Sequence, residues 1–108
     1  MYTDIEQVFT EALPKRFRAI QSATDKAVFQ FKITDSKDWV VSVDNGNLDI
    51  KEGVYGNPQC TLRVGVQALL DIVNGKESIQ LAFMTGKLQI EGDLPYAIKL
   101  AHYFPADE

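Results

Sequence analysis

The residue types that catalyse reactions or bind metals are sparse in this chain and badly spaced for either task. The one histidine, His102, stands beside Tyr103 with no second ligand at the spacing that a metal site needs. The one cysteine, Cys60, falls on the inward side of a predicted strand and has no histidine near it in sequence, so it is expected to be a small buried hydrophobe. The sequence therefore predicts no metal, no cofactor and no enzymatic activity.

Two Gly-Lys pairs could suggest phosphate binding. Neither Gly75-Lys76 nor Gly86-Lys87 follows a strand with the glycine-rich spacing that cradles a phosphate. A glycine just past a helix end can instead adopt the left-handed conformation that closes the last turn. These pairs therefore predict helix ends.

A small basic patch, made of Lys15, Arg16 and Arg18, interrupts an otherwise acidic chain with a formal net charge of -4. One interpretation is a solvated helix face, and the other is transient contact with anionic lipid headgroups. The overall negative charge argues against nucleic acid as a partner, because counterion release requires a basic surface.

The segments that would position these residues follow two different periods. Alternation of apolar and polar residues predicts strands over 27–33, 39–43, 48–50, 60–64 and 88–90. Helical spacing predicts helices over 5–13, 15–20, 66–73, 78–85 and 94–104. Helices and strands are thus segregated, which predicts a single α+β domain over 1–108, with a mostly antiparallel sheet of about five strands and helices over one face.

The sequence makes more specific predictions for the polar side of the sheet and for one helix. Gln30 and the other polar residues of the strands are expected to face water on the uncovered side of the sheet. The helix over 78–85 is apolar nearly all round, because Leu81 and Met84 lie off its main stripe, so apolar partners are expected on both of its sides.

The last third of the chain resembles the sterol carrier protein type 2 family of lipid-binding domains. The matching pieces, in order, are Gly75-Lys76, Ala82-Phe83-Met84-Thr85-Gly86-Lys87-Leu88-Gln89-Ile90, Gly92-Asp93-Leu94 and Ala97-Ile98-Lys99-Leu100. The resemblance implies a hydrophobic cavity between sheet and helices. It also implies ligands of the class of fatty acids, fatty acyl-CoA, phospholipids and sterol-like molecules, with a prenylquinone as a further candidate.

The residues expected to line that cavity are large and apolar. They are Phe29, Phe31, Trp39, Val41, Leu69, Val73, Leu81, Met84, Leu88, Ile90, Tyr96, Leu100 and Phe104. Periodicity alone favours a filled core made from the same residues, and the family resemblance reverses that preference. The helix over 94–104 is expected to act as a gate, with Gly92 as its hinge.

The function predicted from the sequence is non-catalytic lipid binding or transfer in the cytoplasm. Residues 1–9 lack the basic region and apolar run of a signal peptide, and a single cysteine is neutral with a lean to the cytosol. The alternative is an accessory or dimerisation module of a larger assembly, for example a quinone- or lipid-biosynthetic one, without free ligand transport.

Overall fold

The alternating segments of the sequence form one five-stranded sheet in a computed structural model of the chain, which describes residues 1–105. The strands are β1 (Lys26–Thr34), β2 (Trp39–Asp44), β3 (Asn47–Glu52), β4 (Cys60–Gly65) and β5 (Leu88–Gly92). Their spatial order is β3-β2-β1-β4-β5. β1 and β4 are parallel and every other neighbouring pair is antiparallel, which confirms the predicted α+β fold with a mostly antiparallel sheet. Residues 106–108 of the predicted domain lie outside the described residues.

The helical segments are short. They are α1 (Ile5–Gln7), a π-helical turn (Val8–Ala12), α2 (Leu13–Arg16), a 3-10 turn (Ala19–Ser22), α3 (Val66–Val73), α4 (Ile79–Met84) and α5 (Leu94–Tyr103). Asp4 caps the first of them, since its carboxylate accepts the backbone N–H of Gln7 at 2.9 Å. Within residues 1–105, every helix is too short or too polar to cross a membrane.

One row of paired apolar residues crosses four strands on the covered face of the sheet. Trp39, Phe31, Leu62 and Ile90 are successive partners on β2, β1, β4 and β5. The Phe9 ring, from the N-terminal helical segment, stacks on Trp39 with 4.8 Å between ring centroids and meets Phe31 edge-on at 5.2 Å. Aromatic pairs in these geometries stabilise a core beyond their burial alone. The β2 end of the row is therefore covered by an aromatic ring.

The expected water-facing side of the sheet is wrong at Gln30, which is only 1% exposed. The loop after β3 folds over this side. The Gln30 side chain donates to the carbonyl oxygens of Trp39 at 3.1 Å and Gly53 at 3.0 Å, and accepts the N–H of Tyr55 at 2.7 Å. A buried amide is stable here because its donor and acceptor atoms both have partners.

The environment expected for α4 is also wrong. Only Ala82 of this helix is buried, while Ile79, Leu81, Phe83 and Met84 are exposed. These side chains are exposed because α4 lies beside β5, the edge strand of the sheet. The helix therefore packs on the protein through one side only.

The junction between β5 and α5 is a close backbone crossing. Gly92 has φ of 102°, and a Cβ built there would lie 2.6 Å from the carbonyl oxygen of Gln59. The next residue, Asp93, donates its N–H to that same oxygen at 2.8 Å. Glycine is thus required at this position by close approach, whereas its expected role as a hinge stays a prediction.

Candidate functional site

An apolar cavity of about 530 Å³ lies between the helices and the β1, β4 and β5 part of the sheet. Its lining residues are Leu13, Arg16, Phe31, Leu62, Val64, Leu69, Ile72, Val73, Gly75, Glu77, Ser78, Ile79, Gln80, Leu88, Ile90, Ala97, Leu100, Ala101 and Phe104. The volume falls within the range of about 300–1,000 Å³ typical of small-molecule sites. The cavity is partly open to solvent, so a ligand could enter without unfolding the domain.

Small side chains on α5 help to keep this space open. Ala97 and Ala101 lie one turn apart on the helix and both line the cavity. Leu100 is buried between α5 and the sheet, so the helix is still anchored there. Protein interiors normally fill such gaps with interdigitating side chains, and two alanines on the inner side of a helix cannot do so.

The polar lining residues gather at one end of the cavity. The guanidinium carbon of Arg16 lies 5.7 Å from the centre of the Tyr2 ring. Tyr2 is tied by its backbone to Asn74, whose side chain accepts the Tyr2 N–H at 2.8 Å and donates to its carbonyl oxygen at 2.9 Å. Asn74 leads directly into the connection between α3 and α4, which supplies Gly75, Glu77 and Ser78, and Gln80 follows in the first turn of α4. The cavity is therefore amphipathic.

Arg16 is the cation of this polar end that lacks an acidic partner. Glu77 pairs with Lys87 at 3.1 Å, and within residues 1–105 no carboxylate forms an ion pair with Arg16. The Arg16 Nε is buried without a hydrogen-bond acceptor. An unpaired buried donor costs free energy, so this end of the cavity favours an anionic or hydrogen-bond-accepting group.

Seven of the residues predicted from the sequence to bind ligand lie around the cavity. These are Phe31, Leu69, Val73, Leu88, Ile90, Leu100 and Phe104. That they contact a ligand stays a prediction. The other six, Phe29, Trp39, Val41, Leu81, Met84 and Tyr96, lie outside the cavity lining.

The six displaced residues have three different environments. Trp39 stacks on the Phe9 ring, and Phe29 packs against the ring of Tyr103 at 6.2 Å. Leu81 and Met84 are turned to solvent on α4. Val41 is fully buried on β2, and Tyr96 is half-buried with the Lys99 amino group 5.0 Å from its ring centre.

Several lining residues were not predicted from the sequence. Leu62 and Val64 alternate in register with Leu88 and Ile90 across β4 and β5, so the strand pairing would have found them. For Ile72, Ala97 and Ala101 the sequence shows only helical spacing. That spacing does not distinguish a residue that lines a cavity from one in a filled core. Arg16 was predicted to be part of a surface patch, and its contact with an apolar cavity depends on where α2 ends.

The candidate nucleophile, Cys60, and the candidate metal ligand, His102, lie in different environments. Cys60 is buried, and desolvation followed by the nearby Asp93 charge raises the pKa of its thiol, which keeps it protonated at neutral pH. His102 is exposed. Among residues 1–105, no cluster of three histidine, cysteine or acidic side chains could hold a metal ion.

Comparison with known proteins agrees with this architecture. The SCP-2 sterol transfer family matches residues 7–105. Sterol carrier protein 2 of Gallus gallus is 37% identical over 78 residues, covering 68% of this chain and 14% of the relative. The chain thus spans about one-seventh of the length of that curated relative.

Solved structures with a similar fold include the following two. The palmitated SCP2L2 of Aedes aegypti is 28% identical, with a TM-score of 0.64 over 86% of this chain and 91% of that one. The ubiquinone synthesis protein UbiJ-SCP2 is 12% identical, with a TM-score of 0.70 over 91% of this chain and 90% of that one, which shows the fold alone. The family match, the chicken relative and the shared fold confirm the resemblance seen in the sequence, and the chain belongs to the SCP-2 sterol transfer family.

Proposed function

We propose that the protein binds and transfers a lipid with one long apolar chain and an acidic head, such as a fatty acid, without catalysing a reaction. The observation that carries this proposal is the amphipathic cavity, whose apolar interior suits an acyl chain. Arg16 at its polar end suits a carboxylate, because a guanidinium forms strong charge-assisted hydrogen bonds with that group.

The energetics of burial support binding in the micromolar range. Removing one methylene from water is worth roughly 0.8 kcal/mol, so ten of them supply about 8 kcal/mol before ordering costs. Those costs reduce the gain, and affinities near micromolar are the reasonable expectation. Selectivity among chains should then depend mainly on how much of the chain the cavity covers.

The names of the relatives point to the same ligand class. The chicken relative is called a sterol carrier protein, and the mosquito structure is described as palmitated. Fatty acyl-CoA, phospholipid, sterol-like and prenylquinone ligands share the apolar chain or ring system, and their bulkier heads would extend through the open side of the cavity. A fatty acid is the member of this class that Arg16 favours most directly.

The second candidate is an accessory module of a larger protein or assembly. Two observations favour it. The chain matches only 14% of the length of its chicken relative, and a ubiquinone synthesis protein has a similar fold. In that case the cavity would hold a prenylated intermediate for a partner, or would have no free ligand.

Titration with palmitate, read by displacement of a fluorescent fatty acid, tests the proposal. Ala101→Phe places a ring in the cavity, and we expect it to weaken palmitate binding at least tenfold without unfolding the domain. His102→Phe adds a ring at the next, exposed position of α5 and serves as the matched control. Wild-type protein without saturable binding at tens of micromolar contradicts the proposal.

The role of Arg16 is tested by changing the ligand head as well as the residue. Arg16→Gln should weaken palmitate binding about tenfold, since a hydrogen bond to a charged group contributes about 1.5–3 kcal/mol. Binding of hexadecanol, which has no charge, should change little. Lys15→Gln, at the neighbouring exposed position, should leave both ligands unaffected, and an equal loss for both variants would assign the effect to surface charge.

A further inference from the structure

The two helices that border the cavity expose more large apolar side chains than the rest of the surface. We define the α4–α5 patch by its exposed members, which are Ile79, Leu81, Phe83, Met84, Leu94 and Ile98. Met84 is 80% exposed and Ile98 is 63% exposed. Clusters of exposed apolar residues on a small protein mark interaction sites.

The patch is continuous with the cavity. Ile79 belongs to both, because it lines the cavity and is also exposed. On α5, Leu94 and Ile98 stand three residues from the lining residues Ala97 and Ala101, and so share their side of the helix. α4 and α5 both contact the edge strand β5. An apolar route therefore joins the outer surface to the cavity.

The charge distribution around α4 fits a lipid surface. No charged residue occurs from position 78 to position 86. Lys76 and Glu77 precede this segment, and Lys87, which pairs with Glu77 at 3.1 Å, follows it. Lysines that flank an apolar helix can extend toward headgroups while the apolar side chains enter the bilayer. Because Glu77 neutralises one of the two lysines, the fit to a lipid surface depends mainly on the uncharged run itself, with Lys76 as the flanking cation.

The size of the patch argues against a second copy of the chain as the occupant. The patch has six exposed large apolar residues, whereas a specific interface needs about 800 Å² and roughly 20–30 residues from each partner. A bilayer needs no complementary shape, so a short helix with four exposed large apolar side chains is sufficient to engage it.

We propose that the α4–α5 patch docks on the surface of a lipid bilayer and presents the mouth of the cavity to it. This inference deepens the proposed function, because a carrier that docks there can exchange an acyl chain with the membrane without passing the chain through water. It places the main membrane contact on apolar residues of α4, in preference to the basic patch of Lys15, Arg16 and Arg18.

Vesicle flotation tests the proposal, with phosphatidylcholine vesicles containing phosphatidylglycerol. Leu81→Gln/Met84→Gln changes two exposed residues outside the cavity lining, and we expect it to lower vesicle binding roughly tenfold or more, because each apolar side chain that leaves water contributes to membrane affinity. Ile20→Gln/Val54→Gln changes two exposed large apolar residues elsewhere, neither of them less exposed than Leu81, and should leave binding unchanged.

Three outcomes of vesicle flotation would overturn the inference. They are absence of vesicle binding by wild-type protein, equal loss in the two double variants, and loss only in Lys15→Gln/Arg18→Gln. A wild-type dimer that Leu81→Gln/Met84→Gln dissociates in sedimentation velocity would assign the patch to self-association instead. Palmitate titration without vesicles separates this result from the proposed function, since the α4 variant should keep its affinity in solution even if docking is lost.

Discussion

The two ends of one cross-strand row show how the same sheet builds a solid core and a hollow one. Trp39 at the β2 end is covered by the Phe9 ring, while Ile90 at the β5 end faces the cavity. Phe31 belongs to both, because it packs on Phe9 and also lines the cavity. We call the β2 side the packed region and the β4–β5 side the hollow region.

The difference lies in the helices that cover the sheet and not in the strands. The packed region is covered by the N-terminal helical segment, which brings Phe9 into the row. The hollow region is covered by α5, which turns Ala97 and Ala101 toward the sheet. An apolar strand face can therefore belong to a core or to a ligand site, depending on the size of the side chains opposite to it.

The largest expected effect comes from truncating an aromatic ring in each region. Phe9→Ala should lower the free energy of unfolding by about 3–5 kcal/mol, because it opens a void in well-packed surroundings. Phe104→Ala, at the wall of the cavity, should lower it by only about 1–2 kcal/mol, since that ring is half-buried and already borders open space. Urea denaturation of both variants measures the difference, and equal losses would mean that the hollow region is packed like the other.

Adding a side chain at Gly92, at the edge of the hollow region, should have the next largest effect on the free energy of unfolding. Gly92→Ala forces a Cβ against the carbonyl oxygen of Gln59 and should lower the free energy of unfolding by about 3 kcal/mol or more. Gly86→Ala is the matched control, because Gly86 also has a positive φ, of 80°, but has open space around it. We expect a loss of about 1–2 kcal/mol there. Thermal unfolding of both variants checks this, and similar losses would show that close approach at Gly92 is unimportant.

The smallest effect on stability is expected at the C-terminal end of α5, where the Tyr103 hydroxyl donates a hydrogen bond to the Asp25 carboxylate. The hydrogen bond from the Tyr103 hydroxyl, and then the charge of Lys99, lower the pKa of the Asp25 carboxyl, while burial opposes them. Because the folded state has the lower pKa, this contribution is present above the ordinary value of 3.8 and is lost as the pH falls through the folded value. Asp25→Asn should lower the Tm slightly at pH 7 and weaken its decline in acid.

At alkaline pH the same contact is expected to lose its contribution to stability as the pH rises. Burial, together with the Asp25 hydrogen bond, raises the pKa of Tyr103, so its contribution is present below the ordinary value of 10.0 and is lost at higher pH. Tyr103→Phe should reduce the fall in Tm above pH 10. An unchanged pH profile in both variants would show that this contact does not stabilise the end of α5.

The sequence was sufficient for the fold because its two periods are clear. Alternation in segments such as 27–33 predicts strands, and the family resemblance predicts how the last third is arranged. The burial of Gln30 could not be predicted, because its partners come from the loop after β3, whose path over the sheet is a tertiary feature. The exposure of Met84 was missed for a similar reason, since helical spacing does not reveal that α4 lies at an edge.

The candidate site was only partly predictable. Residues that share the inner register, such as Val41 and Leu88, have the same pattern in the sequence, yet one lies in the packed region and the other at the cavity. Only the identity of the covering helix separates them. The alanines of α5 and the position of Arg16 determine the shape and polarity of the cavity, and small or charged residues give no periodic signal of a ligand site.

Intermolecular NOEs between palmitate and methyl-labelled protein test most directly the claim that one region is solid and the other receives an acyl chain. We expect contacts from the palmitate methylenes to the methyl groups of Leu88 and Leu100, and none to those of Val41 and Val43. Contacts to Val41 and Val43, or saturable binding without contacts to Leu88 and Leu100, would contradict the assignment of the cavity as the lipid-binding site.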